Sequence, residues 1–288
     1  MSLLDKVRRC NRRDLARYVP FVADGRQLGW IKPARADVLL GFSAVFAPLA
    51  DGAGVTFAPG LDTSAARSAA VAALVPRLPP DLFATPRNEL YGVKNQWLEP
   101  ESFRIDRALV PALGARAYGV HLNGYVRRGN ETLLWIGTRA VDLRVEPGKR
   151  DNMVAGGQPA GLSLMDNLVK ECGEEAGLSE ALARRASTAG VISYAFDAPE
   201  GLRMDTLFCY DLAVPEDIIP QPSEEISRFD LLPVADALAL IRDTDSFKFN
   251  VGLVIIDFAM RHGLLTPEDE PHFENIAAGL REHPQPVV

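Results

Sequence analysis

Three glutamates, Glu171, Glu174 and Glu175, stand three and one residues apart in the stretch VAGGQPAGLSLMDNLVKECGEEAGLS, from Val154 to Ser179. At about 100° per residue on a helix they share one face, while Met165, Val169, Cys172 and Ala176 form an apolar one. Carboxylates crowded on one face repel each other, and a hard divalent cation among their oxygens relieves that repulsion. Such a cation keeps coordination positions open for water and phosphate oxygens. The other reading of the same spacing is a solvated acidic helix face. The elements that must position the glutamates are a glycine-rich turn, Gly156-Gly157 to Gly161, and a helix starting near Ser163 that Gly177 is placed to end. The turn could expose backbone N–H groups to a substrate or simply set the angle between helix and strand.

The order of Gly-rich turn, helix, Lys170-Glu171, Glu174-Glu175 and Gly177-Leu178 resembles the Nudix box, GX5EX7REUXEEXGU, where U is aliphatic. Aligned on its end, Gly156 takes the first glycine and the three glutamates take the metal-binding places. Leu162 stands where the pattern has its upstream glutamate, and Lys170 replaces the arginine. YGVHLNGYV from Tyr118, LWIGTRA from Leu134, PGKRDNMVAGGQPAG from Pro147 and FKFNVGLVIIDFAMRHGLLTPE from Phe247 look like the Nudix branch related to thiamine pyrophosphokinase-associated proteins. In that branch a small N-terminal domain precedes the Nudix domain, and an apolar residue at the Leu162 place is usual. The resemblance implies hydrolysis of the diphosphate of damaged thiamine diphosphate analogues to a monophosphate. It also implies magnesium, with manganese as its substitute, on Glu171, Glu174 and Glu175, and a homodimer.

Several further residues are candidates. Glu225, with Glu224 behind it, sits in the loop PSEEISRF, where Nudix enzymes often supply another carboxylate; an acidic surface loop is the plain alternative. The general base could be any of Glu171, Glu174, Glu175 or Glu225. Arg139 could grip a substrate phosphate bidentately or make a structural ion pair. The four histidines, His121, His262, His272 and His283, lack ligand spacing, and His121 reads as a core or hairpin residue.

The 288 residues, 47% hydrophobic and 24% charged, suit a globular chain with one large core or two modest ones. A net charge of -7 argues against general nucleic-acid or anionic-membrane affinity, so any phosphate recognition must be local; the partner that the resemblance implies is a small-molecule diphosphate. Cys10, Cys172 and Cys209 are few and scattered, which points to reduced thiols in the cytoplasm. No apolar run reaches membrane-spanning length, and the basic stretch Lys6 to Arg17 reads as a solvated amphipathic helix.

Further elements follow in chain order. Tyr18 to Ile31 reads as a hairpin around Asp24-Gly25, and Pro76 to Pro86 as a connection between subdomains. Strands are expected at 117–126, 133–139, 190–196, 206–212 and 228–232, and an apolar helix at Asn250 to His262. The fold class is α/β: an α/β/α Nudix sandwich over residues 102–288, with a smaller α+β domain over residues 1–101 in front of it. Trp30, Trp97 and other aromatics near the junction suggest that the N-terminal part walls the pocket for the organic end of the substrate, or else covers a sheet face. A non-hydrolytic ligand-binding or regulatory protein on the same fold is the alternative to an enzyme.

Overall fold

A computed structural model describes residues 1–282; His283 lies outside the described residues. The N-terminal half contributes the helices α1 (Leu3–Arg9), α2 (Pro33–Leu40) and α3 (Ser64–Leu74) and the strands β1 (Val19–Ala23), β2 (Arg26–Ile31), β3 (Phe46–Pro48), β4 (Val55–Phe57), β5 (Leu90–Val93) and β6 (Phe103–Asp106). The Asp24-Gly25 dipeptide closes β1 and β2 as an antiparallel hairpin, both residues taking positive φ, as an Asp-Gly turn requires. Strands β1 to β4 make a sheet in the order β2-β1-β4-β3. Phe21, Phe46, Phe57 and Phe103 pack edge-on and stacked at its centre.

β5 and β6 pair with each other on either side of residues 101/102. Phe103 and Ile105 of β6 lie in the same apolar cluster as Phe21, and that cluster continues to Ala115. The segment 103–109 is β6 followed by a single 3-10 turn.

The C-terminal half is a seven-stranded sheet made from β7 (Arg116–Arg128), β8 (Glu131–Arg139), β9 (Arg150–Asp151), β10 (Val154–Gly157), β11 (Ser187–Ala198), β12 (Gly201–Ala213) and β13 (Ile226–Pro233). The main path runs β11-β12-β7-β8-β13, with β10 on β7 and β9 on β8; β12 and β7 are parallel. Helices α4 (Leu164–Ala176) and α5 (Glu180–Ala183) cover one face, packing on Val120, Leu122, Val154 and Tyr210. Helices α6 (Val234–Asp243), α7 (Val251–Arg261) and α8 (Phe273–Gly279) cover the other over Leu134, Ile136 and Cys209. Alternating side chains of the strands thus feed two cores, which is the expected α/β/α layering. α1 joins this second core through Leu3, Leu4 and Val7, although it opens the chain. Its Lys6 ammonium donates to Thr244 O at 2.6 Å and to Asp245 at 2.9 Å.

Val154 to Gly157 is a strand, which corrects the expected turn: Gly156 pairs with Val120 and Gly157 with Gly119. The turn occupies only the residues between Gly157 and Ser163.

Candidate active site

Capping sets the register of α4. Ser163 is its N-cap, its hydroxyl accepting from the Asp166 N–H at 3.1 Å, and Gly177 ends it at φ 64°, its N–H bonded to Cys172 O. Leu168, Cys172 and Ala176 are buried against β7 and β10, more deeply than Met165 and Val169, so the apolar face is rotated slightly from the expected one. With that face fixed, Glu171 and Glu175, one helical turn apart, look onto β10.

Glu175 is almost wholly buried, and its Oε2 accepts the Ala155 N–H at 2.8 Å. Glu171 lies flat on Gly156, in space that any Cβ there would occupy. Next along the strand, Gly157 makes room for the Tyr91 hydroxyl, brought in by β5. The two glycines are therefore demanded by close approach within a strand. Glu174 stays in solvent, its side chain 60% exposed against 12% for Glu171. Lys170 bridges these two, its ammonium 3.1 Å from Glu171 Oε1 and 2.8 Å from Glu174 Oε2.

Burial raises the proton affinity of both inner glutamates. For Glu175, held well above the usual carboxylate range, burial acts first, then the charges of Asp151, Glu171 and Glu225. For Glu171 burial again leads; Lys170 opposes it, while Glu174 and Glu225 add to it. The charge of Glu225 thus reaches both inner glutamates.

Among the described residues no three His, Cys, Asp or Glu side chains stand in metal-ligating convergence. Glu175 is turned onto the backbone of β10, and Lys170 holds Glu171 and Glu174. The donor chemistry nonetheless fits a hard divalent cation: all-oxygen, anionic, and destabilised by its own repulsion.

Arg139 is committed elsewhere. Its guanidinium donates to Asp151 at 2.7 Å and to the Val145 carbonyl at 3.0 and 3.1 Å, with both ion-pair side chains buried. That is the structural ion pair, and it leaves the phosphate contact without a free donor fork. Lys248 adds a second cation to Asp151 at 3.2 Å.

His121 is a core residue, as expected. Asn152 donates its amide N–H to Asn123 at 3.1 Å, so its Oδ1 is an acceptor and His121 Nδ1 is the donor across 2.8 Å. Burial pushes the His121 imidazole down to about 4, so it is neutral near pH 7. Asp151, Lys248 and Tyr91 are the neighbours of the site that motif spacing does not single out. Asp151 and Lys248 carried a signal, from their places in the segments from Pro147 and Phe247 that resemble the branch.

Residues 2–117 match a family described as a domain of unknown function (DUF4743). The chain is similar to two Arabidopsis thaliana proteins over nearly its full length. It is 42% identical to Nudix hydrolase 24, chloroplastic, over 277 residues, covering 95% of this chain and 76% of that protein. It is 40% identical to Nudix hydrolase 20, chloroplastic, over 285 residues, with the same coverage of 95% and 76%. A solved Deinococcus radiodurans structure aligns over 58% of this chain and 98% of its own at 20% identity and TM-score 0.44.

Proposed function

The chain belongs to the Nudix hydrolase family, and from that membership we propose that it hydrolyses the diphosphate of a small organic diphosphate at the Glu171–Glu174–Glu175 face. The observation that carries this reading is the pair of buried glutamates seated on β10, each with its proton affinity raised by burial and by its acidic neighbours. Glu171, Glu174 and Glu175 would hold magnesium, or manganese in its place, with Glu225 alongside. Such an ion, when bound, polarises a phosphoryl oxygen and acidifies the attacking water.

The chain's own groups supply orientation and proton acceptance. The Ala155 N–H aims the Glu175 carboxylate. The missing side chain at Gly156 lets Glu171 approach the strand, and Lys170 restrains Glu171 and Glu174 as an arginine would, with a point charge instead of a planar fork. The water's proton goes to one of the four carboxylates.

Damaged thiamine diphosphate analogues remain the substrate class we favour, on the segments from Tyr118, Leu134, Pro147 and Phe247 that resemble the thiamine pyrophosphokinase-related branch. The same reading places the protein in the cytoplasm as a homodimer, with neither nucleic acid nor membrane as partner. All three cysteines are free and buried, in keeping with reduced thiols. Among the described residues no helix is long and apolar enough to cross a membrane. Phosphorus NMR of a diphosphate panel with magnesium tests the reading. It predicts a monophosphate and inorganic phosphate from the preferred compound, and an unchanged panel would overturn it.

A further inference from the structure

A cavity of about 270 Å³ opens beside the turn that precedes α4, between the N-terminal half and the Nudix sandwich. From the N-terminal side Lys94 and Trp97 line it; from the sandwich come Tyr118, Gln158 and Leu162. Trp97 meets Tyr118 edge-on at 5.5 Å between ring centroids, and Phe208 backs both rings. The Lys94 ammonium stands 4.0 Å from the Trp97 centroid and makes no ion pair among the described residues. Trp30, the other tryptophan near the junction, is not part of this wall; it is buried among Tyr18, Leu202 and Met204.

Two features point to a ligand. Gln158 is 4% exposed and donates its amide N–H to Leu162 O at 2.9 Å, yet its Oε1 has no partner, an uncommon state for a buried acceptor. Leu162, 37% exposed, presents an apolar side chain to the cavity from the turn between Gly157 and Ser163.

The position relative to the glutamates follows from strand geometry. Gly156, on which Glu171 lies, and Gln158 are two residues apart at the end of β10. They share one face of the chain and are about 7 Å apart. A diphosphate at the glutamates therefore has its organic end within reach of the cavity. The volume lies near the lower bound of ligand pockets, about 300 Å³, which suits one small ring system and not a dinucleotide.

We propose that this cavity seats the organic end of the substrate: a small nitrogen heteroaromatic ring bearing an N–H donor, packed against the Trp97–Tyr118 pair, edged by Leu162, and read by Gln158 Oε1 and the Lys94 ammonium. The proposal rests on the hydrolase reading and adds to it the residues that set specificity. It also accounts for Leu162: a carboxylate there would face a ring instead of a metal.

The test compares kcat/KM for oxidised thiamine diphosphate and for methyl diphosphate in the full chain, in Trp97→Ala and in Leu162→Glu. Thermal melts confirm that both variants fold. The expected result is a fall of about tenfold or more in the ratio of the two values, the size of a lost ring stack. Binding of thiamine monophosphate in metal-free buffer, read by calorimetry, should weaken in parallel. An unchanged ratio together with unchanged monophosphate binding in both folded variants overturns the proposal. If the wild type cleaves neither diphosphate, the hydrolase reading fails. Monophosphate binding that is lost in Trp97→Ala would still support the cavity, and binding retained there would refute it.

Discussion

Replacing Gly156 with alanine isolates the seating of Glu171 from its charge. The added methyl would stand 2.8 Å from Glu171 Oε1, and closer still to its carboxyl carbon, whereas ordinary contact begins at 3.4 Å. Gly156 lies in an extended strand, so its backbone accepts alanine, and the carboxylate must retreat by about 1 Å. A displacement of that size at a reacting centre costs on the order of 10²-fold in rate, or about 2.7 kcal/mol of transition-state stabilisation. The assay is kcat for phosphate release at saturating magnesium, with circular dichroism to confirm the fold. Gly173→Ala is the matched control: it lies on the same helix, its nearest neighbour would be 4.0 Å from the new methyl, and alanine should raise helix stability by up to about 1 kcal/mol. If Gly156 acts through Glu171, the double variant Gly156→Ala with Glu171→Gln should be no slower than Glu171→Gln alone. A folded Gly156→Ala protein with wild-type kcat would refute the reasoning.

Other expected outcomes concern charge and packing. Burial and the neighbouring carboxylates raise Glu175 in the fold above the 4.5 of a free glutamate, so the folded chain keeps a proton that the unfolded chain releases. Stability from this group is therefore full below about 4.5 and declines as pH rises through the folded value. In metal-free buffer Glu175→Gln should melt above wild type near neutral pH, and the difference should vanish toward acid; a pH-independent difference would contradict the assignment. Arg139→Met should cost up to about 3 kcal/mol by leaving Lys248 as the remaining cation on buried Asp151, read in urea melts, without raising KM in the folded fraction; a raised KM with intact stability would restore Arg139 as a phosphate ligand. Deleting residues 1–10 should destabilise the sandwich itself, because Leu3, Leu4 and Val7 each remove about 1.5–3 kcal/mol of burial from the core over α7. Native-like melting of that truncated chain would show that α1 is dispensable.

What could be read from the sequence was whatever is encoded locally. Ser163 and Gly177 bracket α4 because capping chemistry acts within a turn, and Asp24-Gly25 marks its hairpin for the same reason. The strands of the sandwich were legible from their apolar runs, as was the helix Asn250 to His262, realised as α7 between those two capping residues. Gly156 and Gly157 misled, since paired glycines signal a turn, while here they admit Glu171 and Tyr91 to a strand from elsewhere in the chain. The partner of Arg139 was equally hidden, because a bidentate donor looks the same whether it waits for phosphate or holds Asp151. The docking of α1 on α7 and α8, and the pairing of Lys6 with Asp245, join opposite ends of the chain, and no local pattern marks such a contact.

The account stands most directly on phosphate release from the preferred diphosphate, measured for wild type and Glu175→Gln with magnesium and after its removal by chelation. It predicts turnover only for wild type with magnesium, and a loss of several orders of magnitude, about 10²-fold at the least, in the folded variant. Wild-type rates in Glu175→Gln, or turnover that survives chelation, would contradict a metal-dependent hydrolase built on these glutamates.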